Sequence, residues 1–118
     1  MGHVVGIHQK RFFSIDDARD LLPVIRRLTK VANMRVTSLS TQLSYVTEAA
    51  KRSELEDLIQ DLFREWHEKV RKLGCEAKGM WLVDFDTGEG YYCWHYPEPD
   101  VSHFHGYFEG FRGRVKIN

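Results

Sequence analysis

The chain has 118 residues, of which 42% are hydrophobic and 29% are charged, and 17 lysines and arginines balance 17 aspartates and glutamates. We take residues 1–118 as one soluble globular domain, because this composition argues against a membrane span, a secretory signal and, with two cysteines, a disulfide scaffold. We therefore expect a cytoplasmic protein, and the zero net charge makes nucleic acid an unlikely partner.

Residues 14–74 predict a long antiparallel helical hairpin. Ser14 is the expected N-cap of the first helix, since apolar residues recur after it at steps of three and four. Pro23 removes a backbone donor inside this helix, so we expect a kink or a break just before it. The second helix is expected to begin with a capping box at Ser53 and to stop at Gly74.

The two predicted helices differ in charge. Residues 1–52 carry nine basic and four acidic side chains, whereas residues 53–111 carry five basic and thirteen acidic ones, which suits helices that pack on each other. Leu58 and Phe63 widen the apolar face of the second helix beyond what one neighbouring helix covers. We expect a homodimer through the helices, the commonest symmetric assembly; in the alternative, a monomer, the sheet covers this surface.

Residues 80–105 change to an apolar period of two, which predicts a small antiparallel sheet of two to three strands and an α+β fold class. A four-residue turn at 87–90 gives a hairpin with three expected pairs, Leu82–His95, Asp84–Cys93 and Asp86–Tyr91. Residues 106–118 are expected to wrap the core. The face that should pack on the helices holds Trp81, Val83, Phe85, Tyr92, Trp94 and Tyr96.

Residues 101–105 are the expected third strand, and its register decides what lies on the outer face. A slip of one residue moves every side chain to the opposite face. Burial of the Phe104 ring is worth about 2 kcal/mol, which favours a register with Phe104 beside the core over one that exposes it. The expected pairs are Trp94–Phe104, His95–His103 and Cys93–His105.

This register gathers side chains that bind metals, next to Asp84, on the outer face: Cys93, His95, His103 and His105. Imidazole and thiolate are donors for zinc and iron, so a divalent transition-metal site is one hypothesis. In the alternative, the outer face meets water or carries a hydrogen-bonded network. A further alternative takes Cys93 as a nucleophile activated by a histidine, although a mid-strand cysteine lacks the usual setting of a low-pKa thiol.

Glycines and aromatic residues surround Arg112 and Arg114, and Glu98 stands between two prolines. Arginine can hold a carboxylate or a phosphate with two parallel hydrogen bonds, so this region suits a small anionic ligand. In the alternative, the arginines pair with acidic residues of the chain and Glu98 is an ordinary turn residue. The candidate ligand-binding residues are Asp84, Cys93, Glu98, His105, Arg112 and Arg114.

Several short segments occur in a characteristic order: Arg11-Phe12-Phe13-Ser14, Ala18, Leu21-Leu22-Pro23, Leu73-Gly74, Val83-Asp84-Phe85, Cys93-Trp94, Glu98, His105, Gly110-Phe111 and Arg114. Together they resemble the bacterial family called domain of unknown function twenty-two-oh-three. The resemblance implies an uncharacterised soluble bacterial protein and brings no established activity or cofactor. In the family an arginine is usual at the position of His95, and His103 matches no landmark, so the resemblance implies a shared site at Glu98, His105 and Arg114.

The leading functional hypothesis is a non-enzymatic binding or assembly module. Its helices would mediate self-association, and its aromatic, histidine-rich sheet would hold a small ligand. The rival is a metal-dependent enzyme in which three histidines bind the ion, Cys93 or Asp84 is the fourth ligand, and Glu98 is the general base. The sequence names no reaction and no substrate.

Overall fold

A helical hairpin and an antiparallel sheet form two layers in the computed structural model, which describes residues 11–117. The elements are α1 (Ile15–Leu43), α2 (Ala49–Lys72), β1 (Glu76–Lys78), β2 (Leu82–Asp86), β3 (Tyr91–His95), β4 (His103–His105), a 3-10 turn (Phe111–Gly113) and β5 (Val115–Lys116). The sheet order is β1-β2-β3-β4-β5. The α+β prediction is confirmed, but the sheet has five strands and not two to three. Residues 1–10 and Asn118 of the expected domain lie outside the described residues.

Helix α1 begins where the sequence predicts. The Ser14 hydroxyl accepts the Asp17 N–H at 3.0 Å, and the Asp17 carboxylate accepts the Ser14 N–H at 3.1 Å, so the first turn has a complete capping box. The preceding Phe13 is buried edge-on against Phe85, and its N–H donates to the carbonyl oxygen of Asp86 at 2.7 Å. These contacts fix the start of α1 to the end of β2.

Pro23 does not break α1, which continues through it. Proline removes one hydrogen bond of the helix and crowds the preceding turn, and both effects weaken an isolated helix. Here the neighbouring Leu22 and Ile25 are buried in the core, whereas Pro23 itself is exposed. Packing on the sheet therefore holds the helix together across the missing hydrogen bond.

Helix α2 begins four residues before the predicted start at Ser53. Glu48 is its N-cap, and the Glu48 carboxylate accepts the Lys51 N–H at 3.0 Å. Arg52, which lies before the predicted start, belongs to α2 and donates from Nη1 to the carbonyl oxygens of Leu43 and Val46, at 2.8 and 2.7 Å. This guanidinium satisfies carbonyl groups at the end of α1 that have no partner within the helix. The link between the helices is residues 44–48.

The end of α2 agrees with the predicted glycine stop. Leu73 is the C-cap, and Gly74 follows with a φ of +90°. Glycine adopts this left-handed conformation without the steric cost that a side chain brings. The chain therefore leaves the helix at Gly74 and turns back into β1.

The central hairpin has the predicted register. Leu82 pairs with His95, Asp84 with Cys93, and Asp86 with Tyr91. Side chains alternate along β2 and β3, so the aromatic and aliphatic set points towards the helices. All six residues predicted for the inner face belong to the core or pack against it: Trp81, Val83, Phe85, Tyr92, Trp94 and Tyr96.

The predicted register of the third strand is wrong by two residues, and the observed pairs are Tyr91–His105, Tyr92–Phe104 and Cys93–His103. Because side chains alternate, a shift of two keeps each one on its predicted face. Phe104 thus lies edge-on to Tyr92, with ring centroids 6.1 Å apart. Gly90 favours this register, since a Cβ there would lie 2.5 Å from the Phe104 ring.

The third strand is also shorter than predicted, because residues 101 and 102 form part of a loop. Val101 is fully buried in the core, and its carbonyl oxygen accepts from Arg19 Nε and Nη2 at 3.2 and 3.0 Å. Arg26 Nη2 donates to the carbonyl oxygen of Glu98 at 2.9 Å. These two arginines bind the loop to α1, so the strand begins only at His103.

The two edge strands were not predicted because they are too short to show alternation of apolar and polar residues. Strand β1 has three residues, Glu-Ala-Lys, and β5 has two. Alternation needs about four residues to be visible in a sequence. Pairing with a neighbouring strand, rather than local sequence preference, therefore makes these residues strands.

A buried hydrogen bond joins the two helices beneath the sheet. Trp66 Nε1 donates to Thr29 Oγ1 at 2.9 Å, and Thr29 Oγ1 donates to the Ile25 carbonyl oxygen at 2.7 Å. Thr29 is fully buried and Trp66 is 3% exposed. A polar atom removed from water in this way is stable only while its partner is present.

We predict that Thr29→Val lowers the free energy of unfolding by about 1–3 kcal/mol, because the indole N–H of Trp66 loses its acceptor while the shape of the core is kept. Urea denaturation followed by circular dichroism measures the change. The control is Thr41→Val, since exposed Thr41 makes the same kind of bond to the Thr37 carbonyl oxygen at 3.0 Å. The control should change stability by less than about 0.5 kcal/mol, and equal losses would contradict the prediction.

Candidate functional site

The centre of the outer face of the sheet is buried, and the chain that follows β4 packs on its edges. Tyr107 packs edge-on against Tyr91, with ring centroids 5.1 Å apart, and its hydroxyl donates to Asp86 Oδ1 at 2.7 Å. Phe111 packs against the ring of His95 at 5.4 Å. The alternative in which polar residues of this face simply meet water is therefore wrong for Asp84, Cys93 and His105, which are exposed by 2%, 0% and 4%.

These three buried side chains form a compact cluster, which we call the triad. One oxygen of Asp84, the sulfur of Cys93 and one ring nitrogen of His105 all lie within 4.8 Å of one another. His105 Nε2 lies 3.1 Å from Asp84 Oδ1, and His105 Nδ1 lies 2.8 Å from the Gly106 carbonyl oxygen. A carbonyl oxygen can only accept, so Nδ1 carries a proton that it donates to Gly106. Nε2 is the ring nitrogen that faces Asp84 and the rest of the cluster.

Strands β2, β3 and β4 each supply one member of the triad. Asp84 and Cys93 are directly paired across β2 and β3, whereas His105 is paired with Tyr91 and reaches them diagonally. Diagonal neighbours in an antiparallel sheet are within reach of long side chains. Despite the two-residue shift in register, His105 of β4 therefore still belongs to the cluster.

Burial governs the protonation of Cys93. Burial first, and then the nearby Asp84 carboxylate, raise the pKa of the Cys93 thiol to about 12, and Arg114 lowers it only in part. At neutral pH the group is a thiol, so it is a poor nucleophile. This counts against the alternative of a cysteine nucleophile activated by a histidine.

A second polar group, Glu98 with Arg114, lies beside the triad. Arg114 Nη1 and Nη2 donate to Glu98 Oε1 and Oε2 at 3.0 and 2.9 Å, and the His95 N–H donates to Glu98 Oε1 at 2.8 Å. The Arg114 guanidinium also lies 4.2 Å from the centre of the Phe111 ring and interacts with Cys93. These contacts hold Arg114 beside Cys93 and join the C-terminal segment to the loop that follows β3.

The same contacts keep Glu98 ionised. Burial by itself raises the pKa of Glu98, but hydrogen bonds from Arg114 and the His95 N–H outweigh it and hold the pKa below its usual value. His103 contributes from further away, since its Nδ1 lies 3.7 Å from Glu98 Oε2. That nitrogen is buried and has no hydrogen-bond partner within residues 11–117. Glu98 therefore acts as a fixed anion whose oxygens are already engaged.

The structure brings together some of the predicted site residues and separates others. Asp84, Cys93 and His105 converge, and Glu98, Arg114 and His103 lie next to them. His95 is outside the triad because its ring faces Phe111. Arg112 is exposed in the 3-10 turn.

Two parts of the site were not predicted from the sequence. The Gly106 carbonyl that orients His105 is a backbone group, which no residue type signals. Tyr107, which covers the face at Asp86, belongs to a glycine-rich segment without regular periodicity. The alternation of Asp84 and Asp86 along one strand does predict that Asp86, the partner of Tyr107, shares the outer face, and this is where it lies.

Comparison with known proteins gives the family of the chain. The model of the family described as "Uncharacterized conserved protein (DUF2203)" matches residues 11–117, so the chain belongs to this family and the resemblance seen in the sequence is confirmed. No curated protein and no solved structure matches the chain. Neither long helix of the described part, α1 or α2, is apolar enough to cross a membrane.

We predict that Glu98→Gln lowers the free energy of unfolding by about 1–3 kcal/mol at pH 7, because the neutral amide weakens both bonds to Arg114. A carboxyl whose pKa is lowered by folding stabilises the protein above its unfolded pKa and loses that contribution as pH falls through the folded pKa. The difference from wild type should therefore shrink below about pH 4. Urea denaturation across pH measures it, and exposed Glu89→Gln is the control. A loss that does not depend on pH would contradict the prediction.

Proposed function

We propose that this protein is a transition-metal-binding domain in which Asp84, Cys93 and His105 hold one divalent ion. The observation that supports it is the convergence of a carboxylate, a thiol and an imidazole within 4.8 Å, all buried, on three different strands. Carboxylate, thiolate and imidazole are the three kinds of side-chain donor that zinc binds in proteins. Of the sequence-predicted metal ligands, the proposal keeps Cys93 and His105 and replaces His95 and His103 by Asp84.

The distances suit an ion of this kind. Zinc binds carboxylate oxygen and imidazole nitrogen at about 2.0–2.2 Å and thiolate at about 2.3 Å, so two donors on a tetrahedral ion lie roughly 3.3–3.8 Å apart. His105 Nε2 and Asp84 Oδ1 are 3.1 Å apart, close to that spacing. The Cys93 sulfur lies within 4.8 Å of both atoms, so it reaches this spacing with a movement of at most about 1–1.5 Å.

The electrostatics also suit a divalent cation. A carboxylate and a thiolate together carry two negative charges, and the Glu98 carboxylate offsets the positive charge of Arg114 nearby. Zinc or ferrous iron accepts this mixture of oxygen, nitrogen and sulfur donors. Metal-binding histidines usually donate their other ring N–H to a carbonyl or carboxylate, and His105 Nδ1 makes this contact with the Gly106 carbonyl oxygen.

We further propose that the domain binds rather than catalyses. Three protein ligands leave one coordination position of a tetrahedral ion for a small anionic ligand. The rival, a metal-dependent enzyme, needs Glu98 as a general base. Both oxygens of Glu98 already accept hydrogen bonds, and its lowered pKa makes it a weak proton acceptor.

We predict that untagged protein grown with zinc and iron contains about one metal ion per chain, measured by mass spectrometry of the elements. Cys93→Ser and His105→Gln should each lose most of the metal, because each removes a donor. The matched controls are Cys75→Ser, a buried cysteine outside the triad, and His103→Gln, a neighbour on the same strand. Both controls should keep the metal.

Cobalt substitution provides a test that does not depend on metal carried over from the cells. The protein with cobalt should show the thiolate-to-cobalt absorption band in the near ultraviolet, and Cys93→Ser should lose this band while Cys75→Ser keeps it. Circular dichroism checks that each variant is folded. A folded wild-type protein that contains no metal and binds neither zinc nor cobalt would falsify the proposed function.

A further inference from the structure

The helical layer has an apolar surface that the sheet does not cover. Two adjoining depressions of about 440 and 190 Å³ lie between α1 and α2, and every residue that lines them belongs to these helices. They share Arg35, Leu62 and Glu65, so they form one continuous surface, which we call the helical groove. Its apolar members are Leu28, Val31, Ala32, Leu39, Leu58, Leu62 and Trp66.

The apolar side chains of the helical groove form a second stripe beside the core stripe. On α1, Val24, Leu28, Val31 and Leu39 follow helical spacing, offset from the buried set that faces the sheet. Val31 is 51% exposed and Leu58 is 44% exposed. A helix with apolar residues on two sides has more such surface than its own core can cover, which marks an interaction surface.

The charges at the rims of the helical groove differ between the two helices. Arg27 and Arg35 lie on the α1 side, and the α2 side carries Asp61 and Glu65 with Lys69 at one end. Within residues 11–117, the acidic pair forms its ion pairs with Arg64 and Lys69 of α2 itself, and Arg35 forms none. The sequence had suggested that its charge asymmetry joins α1 to α2 within one chain. The ion pairs of these residues do not do so.

We propose that the helical groove binds a second copy of this chain, so that two hairpins form a four-helix bundle. A two-fold axis parallel to the hairpin places the basic rim of each copy on the acidic rim of the other. A surface that has basic residues on one side and acidic residues on the other is complementary to itself under this operation. A second copy of the chain therefore supplies the matching charges. The exposed leucines and valines of the two copies then bury each other.

The proposal is independent of the metal site. The helical groove is lined by helical residues alone, whereas the triad lies on the face of the sheet that points away from the helices. Loss of dimerisation and loss of metal can therefore be measured separately on the same variants.

Sedimentation equilibrium of the untagged full chain should give twice the monomer mass of 13.9 kDa. Val31→Glu and Leu58→Glu should each weaken dimerisation by at least about 30-fold, because each places an unpaired charge in the buried centre of the interface. The control is Met34→Glu, since Met34 is 61% exposed on α1 but does not line the helical groove. This control should remain dimeric.

Charge reversal tests the geometry without adding a charge to an apolar position. Arg35→Glu and Glu65→Arg should each weaken the dimer, and the double variant with both changes should restore it, because each new charge meets its opposite on the partner. Circular dichroism confirms folding. A wild-type chain that stays monomeric at its highest soluble concentration, or a dimer that Val31→Glu, Leu58→Glu and the single charge reversals all leave unchanged, overturns the proposal.

Discussion

The alternation of side chains along β2 and β3 is the constraint on which both the core and the triad depend. Val83, Phe85 and Trp94 point to the helices and are fully buried, while Asp84 and Cys93, between them in sequence, point to the other side. A slip of one residue would exchange the two sets, exposing the aromatic core and burying carboxylates in it. The free energy of packing the core therefore also fixes the position of the candidate metal ligands.

A sheet face that carries Asp84, Cys93 and His105 becomes a site only because other residues remove it from water. The Glu98–Arg114 ion pair does this by joining the loop after β3 to the segment before β5, and Tyr107 and Phe111 cover the remaining edges. Low solvent exposure strengthens each electrostatic interaction within the cluster. The same burial keeps the pKa of Cys93 near 12, so an ion that binds there has to displace the thiol proton.

Sequence reasoning predicted the features that periodicity and short turns determine. These include the start of α1, the β2–β3 register and the inward direction of Phe104. It missed features that long-range contacts determine. Arg52 binds the carbonyl oxygens of Leu43 at the end of α1 and of Val46 in the link, which favours the earlier start of α2. Gly90 leaves room for the Phe104 ring, which favours the observed register of β4. For the site, residue type and face pointed to Cys93 and His105. The exclusion of His95 and His103 follows from their contacts with Phe111 and Glu98, which no sequence pattern shows.

The pairing of Arg114 with Glu98 also decides how the covering segment can open. Phe111 packs on the His95 ring and on the Arg114 guanidinium, so the segment cannot leave the sheet without separating a two-pronged ion pair and two aromatic contacts together. Contacts that break together make a segment open as one cooperative unit. The rate of that single opening event therefore limits how fast a dissolved molecule reaches the three clustered side chains.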